Sequence, residues 1–214
     1  MLRVNEIFFS IQGESSYAGR PCVFVRLTGC NLRCSYCDTR YSYDEGEDLE
    51  LEEIIKRVTA YGCNLVEITG GEPLLQKDTA LLTRKLLDSG LEVLLETNGT
   101  MDISLVDGRC VAIVDIKCPS SGESEKNDLG NLKKLRPNDE VKFVIGTRED
   151  YEFAKGIISS LKRTGGISNP PLVSPVWGKL KPDDLAEWIL TDHLDVRMQI
   201  QLHKIIWGPD AKGV

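Results

Sequence analysis

The chain has 214 residues, 41% hydrophobic and 28% charged, with a formal net charge of −7. That is room for a well-buried core. No Lys/Arg run offers a nucleic-acid grip, and no apolar run approaches the ~20 residues of a bilayer span. MLRVNEIFFSIQGE (1–14) lacks the apolar stretch and small-residue cleavage site of a secretory signal, so a cytoplasmic address is expected, with neither nucleic acid nor membrane as partner.

CVFVRL (22–27) reads as the first strand. Leu51, Ile54, Ile55 and Val58 recur at helical spacing, and the acidic run 45–53 suits the front of that helix. LVEIT (65–69) is a strand running into GGEP; a helix from about Asp78 to Ser89 stops at Gly90. Three more strands are expected at 91–97, 111–117 and 140–146. The segment 120–131 between the last two is polar and Gly/Ser-rich, as in a surface loop. A helix from Glu149 to Lys162, a short strand at 172–176 and a helix opening at Pro182 follow. DVRMQIQLH (195–203) alternates strictly and reads as a last strand, its polar set facing either water or a cavity. Strands alternating with helices predict a parallel α/β sheet in one domain, 1–214. Its unusual residues gather at strand ends: Gly29-Cys30, Thr69-Gly70-Gly71, Thr97-Asn98-Gly99, Lys117-Cys118-Pro119 and His203. Strand carboxyl ends are where ligands collect in such sheets.

Seven cysteines in a reducing compartment favour metal over disulfides. Cys30, Cys34 and Cys37 form C-x3-C-x2-C; Cys22, Cys63, Cys110 and Cys118 show no second cluster spacing and suit core positions. Zinc ribbons need a second ligand pair some 12–20 residues on, which is absent here. A cubane iron–sulfur cluster usually takes four cysteines. Three would leave one iron open to an amine and a carboxylate, such as the methionine end of S-adenosylmethionine. Buried small side chains, or a zinc site completed by a distant residue, are the alternatives on spacing alone.

C-x3-C-x2-C after the first strand and TGGEP (69–73) after the next resemble the two signatures of the radical S-adenosylmethionine enzymes. EIFFSIQGES (6–15), CDT (37–39), DIKCPSSG (115–122) and QLHK (201–204) narrow the resemblance to the 7-carboxy-7-deazaguanine synthase family, over about residues 5–209. The resemblance implies an abbreviated, modified (β/α) partial barrel of the radical S-adenosylmethionine type. It implies a homodimer holding a [4Fe-4S] cluster, S-adenosylmethionine and Mg²⁺, with an electron donor such as flavodoxin or ferredoxin. The implied reaction turns 6-carboxy-5,6,7,8-tetrahydropterin into 7-carboxy-7-deazaguanine with loss of ammonia, a step toward queuosine. Carried over by motif, Cys30, Cys34 and Cys37 hold the cluster and Thr39 holds Mg²⁺. Ile11, Gln12, Gly13, Glu14, Arg26, Thr69, His203 and Pro209 meet the substrate. Gly71 contacts adenosylmethionine, with Tyr36, Asp38, Glu72, Asn98, Asp115, Lys117 and Ser174 as further cofactor contacts and the Cys118 backbone at the border of that site. No protein general base is implied.

From the residues alone, Thr39 could equally cap the next segment, and Arg26 could be a surface charge. The chain continues past Pro209 through Asp210–Val214, where short-tailed family members end. A glycyl-radical-enzyme activase and a non-enzymatic iron–sulfur electron-transfer protein also stay open. IQGE together with Arg26 and His203 argues against the first, whose substrate is a protein.

Overall fold

In the computed structural model, which describes residues 1–164 and 167–214, the strands form one open sheet. They are β1 (Leu2–Ile11), β2 (Pro21–Leu27), β3 (Glu47–Leu49), β4 (Leu65–Gly70), β5 (Glu92–Thr97), β6 (Val111–Ile116), β7 (Glu140–Ile145), β8 (Leu172–Pro175) and β9 (Arg197–Met198). The helices are α1 (Leu51–Thr59), α2 (Thr79–Asp88), α3 (Arg148–Thr164), α4 (Pro182–Thr191) and α5 (Leu202–Ile206). The strand order β3-β1-β2-β4-β5-β6-β7-β8-β9 leaves β3 and β9 as edges, so the barrel is partial, as expected. From β2 onward along that order the pairings are parallel.

The parallel expectation fails at one end. β1, which the hydrophobic pattern does not reveal, runs antiparallel to both β2 and β3. The register slips between Val4 and Glu6, a bulge that switches faces. Before it, Leu2 and Val4 point to the helix side; after it, Phe8 points to the barrel interior. A slip of one residue erases the period-2 signal.

The sheet is apolar on both faces, so its strands read as continuous apolar runs rather than alternating ones. Outside, α1 docks Leu51, Ile54 and Val58 into the main core, each stabilising by about 1.5–3 kcal/mol. Inside, Phe8, Cys22, Phe24, Leu65, Leu94, Val111 and Ile113 form a second core that plugs one end of the barrel. The Phe8 and Phe24 rings stack at 4.9 Å. Cys22, Cys110 and Cys118 are buried and Cys63 half-buried, which suits their expected core role.

Two other readings need correction. The segment 195–203 is not one long strand: pairing with β8 stops after Met198, and the chain turns into α5. Burial follows its alternation only as far as Met198; beyond it Gln199 is buried and Ile200 exposed. The polar segment 120–131 is not simply surface. Ser121 and Asn131 are fully buried, and the Asn131 amide donates to the Gly99 and Met101 carbonyls at 2.8 and 2.7 Å. The same segment braces the cysteine loop: Ser35 N donates to Ser121 O at 2.9 Å and Arg33 N to the Glu123 carboxylate at 2.8 Å. Polar residues here satisfy buried backbone, which composition alone does not distinguish from solvation.

Candidate active site

The inner face carries its charge near the strand carboxyl ends, above the apolar plug. Arg26 lies beside Thr69 across β2 and β4, and Asp115 beside Lys142 across β6 and β7. These residues line a cavity of about 620 Å³, within the usual range for small-molecule sites.

Cys30, Cys34 and Cys37 all line this cavity from the loop after β2, and all are free thiols. Cys37 N donates to Cys34 O at 3.2 Å, and Cys30 Sγ accepts from Leu32 N at 3.4 Å. Among the described residues no three His, Cys, Asp or Glu side chains converge on a single ion. Three thiols spread around a mouth suit a polynuclear cluster better than a lone zinc. Burial, only partly opposed by Lys117, pushes the Cys34 thiol up to about 11, and a bound cation's charge reverses that preference.

Thr39 lines the cavity two residues on. It precedes the short helical turn Arg40–Tyr43, yet its hydroxyl makes no capping bond. Thr39 Oγ1 lies 3.7 Å from Cys37 Sγ, so a hydroxyl oxygen stands beside the last thiol of the cysteine loop.

The TGGEP loop packs directly on the cysteine loop. Gly71 N donates to Leu27 O at 3.1 Å, and Glu72 N to Gly29 O at 2.7 Å. Gly71 borders the cavity, as do Thr69, Asn98, Tyr36, Asp38, Asp115 and Lys117. Glu72 and Ser174 do not. The Glu72 carboxylate is fully buried and already accepts from Leu74 N (2.9 Å), Thr97 Oγ1 (2.8 and 3.0 Å) and Asn98 N (2.7 Å). It ties the TGGEP loop to the end of β5. Ser174 is fully buried and its hydroxyl has no partner among the described residues. Asp115 Oδ1, also without a partner, belongs to a residue on the cavity wall and suits a ligand's hydrogen-bond donor. Burial works against the charge on Lys117, but Asp115 at 2.8 Å outweighs it and keeps the ammonium protonated. Cys118 stays behind the wall, its carbonyl accepting from Ser121 N at 3.0 Å and Ser121 Oγ at 2.6 Å.

The opposite side of the cavity is a seam. The end of β1 carries Ile11 and the loop after it Gln12, Gly13 and Glu14; α5 and the tail carry His203 and Pro209; all line the cavity. Leu202 N donates to Gly13 O at 3.1 Å, and Gln201 Nε2 to Glu14 Oε1 at 2.7 Å. A Cβ on Gly13 would stand 2.4 Å from His203 Nδ1 and 3.0 Å from His203 N. Burial pushes His203 below its ordinary pKa despite Glu14 nearby, so it faces a ligand as neutral imidazole.

Arg26 is no surface charge. Its side chain is 14% exposed, and Nε donates to Glu6 Oε1 at 2.7 Å. Its guanidinium lies over the Phe8 and Tyr41 rings at 5.7 and 5.9 Å. The terminal guanidinium nitrogens make no hydrogen bond to the described residues, leaving a fork for an anion.

Sequence reasoning missed Glu67, Glu96 and Lys142. All three line the cavity. Lys142 Nζ pairs with Glu14 (2.9 Å), with Glu96 and with Asp115 (3.7 Å). Their signal was a charged residue inside a largely apolar strand, two places before a residue on the same face: Glu67 before Thr69, and Lys142 before Val144. Lys204 was also missed: nearly buried on α5, it pairs with Asp38 at 2.6 Å. That pair outweighs burial and lowers the Asp38 carboxyl below its usual range.

A profile of the Radical SAM superfamily matches residues 24–112. The chain is 49% identical to the 7-carboxy-7-deazaguanine synthase of Chlorobaculum tepidum, covering 100% of this chain and 97% of that one. It is 44% identical to the enzyme of that name from Koribacter versatilis, covering 100% of both. Its fold is similar to the crystal structure of QueE from Escherichia coli, with TM-score 0.77 at 22% identity over 94% of this chain and 93% of that one. It is also similar to Streptococcus suis SuiB bound to S-adenosylmethionine, with TM-score 0.58 at 12% identity over 81% of this chain and 45% of that one. Relatives at 44–49% identity, matched from end to end, make the chain a member of the 7-carboxy-7-deazaguanine synthase family, within the radical SAM superfamily.

Proposed function

We propose that the chain converts 6-carboxy-5,6,7,8-tetrahydropterin to 7-carboxy-7-deazaguanine with loss of ammonia, as a carbon–nitrogen lyase of deazapurine biosynthesis. The observation that carries this is convergence. The cysteine loop, the TGGEP loop and the seam of Gln12–Glu14 with His203 face one cavity. When bound, the [4Fe-4S] cluster and S-adenosylmethionine supply one-electron reduction and a carbon-centred radical able to abstract hydrogen.

The residues divide the remaining work. Cys30, Cys34 and Cys37 would hold the cluster; Gly71, Asn98, Asp115, Lys117, Tyr36 and Asp38 frame the adenosylmethionine side. Thr39 offers its hydroxyl, which makes no capping bond, to Mg²⁺, an oxygen-seeking ion that keeps few protein ligands. Arg26 directs its open fork at the substrate carboxylate. Gln12 and Glu14 present amide and carboxylate to the pterin's amide and amino edge, and Ile11, Gly13, Thr69, His203 and Pro209 complete the pocket. The tail from Asp210 to Val214 also lines the cavity, with Lys212 Nζ 4.4 Å from the Tyr41 ring centre, which supports a role in excluding water. A homodimer supplied by flavodoxin or ferredoxin in a reducing cytoplasm completes the proposal. All seven cysteines are free, and no helix among the described residues is long and apolar enough to cross a membrane.

Anaerobic incubation of reconstituted protein with the pterin, adenosylmethionine, Mg²⁺ and a reductant is expected to yield carboxydeazaguanine. Alanine at Cys30, Cys34 or Cys37 is expected to abolish product and cluster absorbance together. Adenosylmethionine cleavage without carboxydeazaguanine would refute the substrate; no cleavage at all would refute the enzyme.

Gly13→Ala tests the seam. The added methyl must displace His203, and ångström-scale misplacement costs about a hundredfold in rate. We expect kcat/KM to fall about 10–100-fold with cluster content unchanged. Steady-state kinetics with iron analysis reads both, and an unaltered kcat/KM would show that the seam does not position substrate.

A further inference from the structure

We infer that Glu67 binds the substrate as a neutral carboxylic acid, fixed in the pocket floor by Gln12 and donating its O–H to a carbonyl oxygen or imine nitrogen of the bound heterocycle. This rests on the pterin reading above and adds to it a residue that no motif marked.

Glu67 sits in mid-β4 with Phe24 of β2 and Leu94 of β5 as its register neighbours, both part of the apolar plug. It is 3% exposed, yet it lines the cavity. The cations nearby are committed elsewhere. Arg26 pairs with Glu6, and Lys142 with Glu14, Glu96 and Asp115. Among the described residues no Lys, Arg or His nitrogen lies within ion-pair distance of the Glu67 carboxyl. An unpaired carboxylate at this depth would cost several kcal/mol. The usual resolution is to keep the proton.

The hydrogen bonds agree. Gln12 Oε1 accepts from Glu14 N at 2.9 Å, which turns Gln12 Nε2 toward Glu67, where it donates to Oε2. That is the one hydrogen bond of the Glu67 carboxyl among the described residues. A neutral acid has one O–H donor, and here no protein acceptor takes it. The cavity is where it can be used.

The surrounding charges point the same way. Burial, ahead of repulsion from Glu96 on β5 and Glu14 in the β1–β2 loop, pushes the carboxyl well above its usual range. Lys142 on β7 and Arg26 on β2 oppose this without overcoming it. Asp115 on β6 shares Lys142, and burial pushes the neighbouring Cys22 thiol up. The floor is thus a neutral Glu67–Gln12 pair, which suits an uncharged heterocyclic edge. The charged groups above it suit the substrate's carboxylate.

The test is infrared difference spectroscopy on the reconstituted holoenzyme at neutral pH, without reductant so that no turnover occurs. The wild type is expected to show the carbonyl band of a protonated carboxylic acid, lost in Glu67→Gln. Adding 6-carboxytetrahydropterin is expected to shift that band to lower frequency as the acid donates. In parallel, Glu67→Met is expected to raise KM about 10–100-fold, the cost of an unmet polar contact. Glu67→Gln, whose amide can still donate, raises it by a smaller factor. Turnover intact with no such band, a band that ignores substrate, or equal KM for wild type and Glu67→Met overturns the role of Glu67 alone. Absence of wild-type turnover overturns the pterin reading and this inference with it.

Discussion

Gly71→Ala is expected to lower turnover at least about a hundredfold and to weaken cluster retention. A Cβ at position 71 would lie 2.0 Å from Gly29 O, 2.4 Å from Gly29 C and 2.9 Å from Cys30 Cβ. Two of these are backbone atoms, which cannot rotate away. Glu72 N is already bonded to Gly29 O at 2.7 Å, so the loops are latched from the next residue as well. Forcing them apart moves Cys30, whose sulfur is one of three expected on the cluster. Overpacking of this kind costs typically about 1–3 kcal/mol, which lowers the melting point of a chain this long by about 2–12 °C. The variant should therefore fold, and the loss should fall on function. Iron content, cluster absorbance and adenosylmethionine cleavage measured together decide it. Wild-type cleavage with full iron would show that the loops can separate without consequence.

Lys142→Met is expected to be the most damaging single change on the cavity wall. The ammonium is 5% exposed and holds three carboxylates, Glu14, Glu96 and Asp115. Burial opposes its charge, but those three neighbours outweigh it and raise its pKa well above the ordinary value. Removing one partner of a buried ion pair costs about 3–5 kcal/mol. Binding should suffer too, since Glu14 loses the partner that fixes it.

The pH dependence has a definite sign. Burial alone would raise the Glu14 carboxyl, but Lys142, with help from Gln201, holds it well below its usual range. In the wild type this stability is present above the ordinary carboxylate pKa and is lost as pH falls toward the lowered one. Without Lys142 burial dominates and the folded pKa rises, so the sign reverses. The variant is then least handicapped in acid and loses stability as pH rises past the ordinary carboxylate value. The melting-temperature deficit should be smaller at about pH 5 than at about pH 8. A deficit independent of pH would mean that the carboxylates do not depend on Lys142.

Much of the site was legible because its chemistry is written locally. C-x3-C-x2-C places three thiols on one loop, and TGGEP places two glycines where a second loop must approach it. Arg26 and Thr69 each fall at the end of an apolar strand, and the parallel register sets them side by side. What escaped was non-local. Lys142 is 128 positions from Glu14 and 46 from Glu96, and pattern in one segment cannot report such a pairing. Glu67 stands among apolar residues in β4, where its carboxyl had no visible partner until Gln12 was placed beside it. Glu72, which the motif marks for the cofactor, lies off the cavity lining, and three protein groups already reach its oxygens.

The sequence by itself determined the α/β succession and the three-cysteine loop, because strand period, helix period and cysteine spacing are each set within a few residues; its motifs carried the resemblance to the family. Tertiary structure alone decided the antiparallel β1, the early end of β9, the seam between Gly13 and His203, and the charge arrangement on the cavity wall. A bulge hides the first, and loss of ladder partners ends the second. The last two depend on which distant side chains meet inside a barrel whose opposite walls are far apart in sequence.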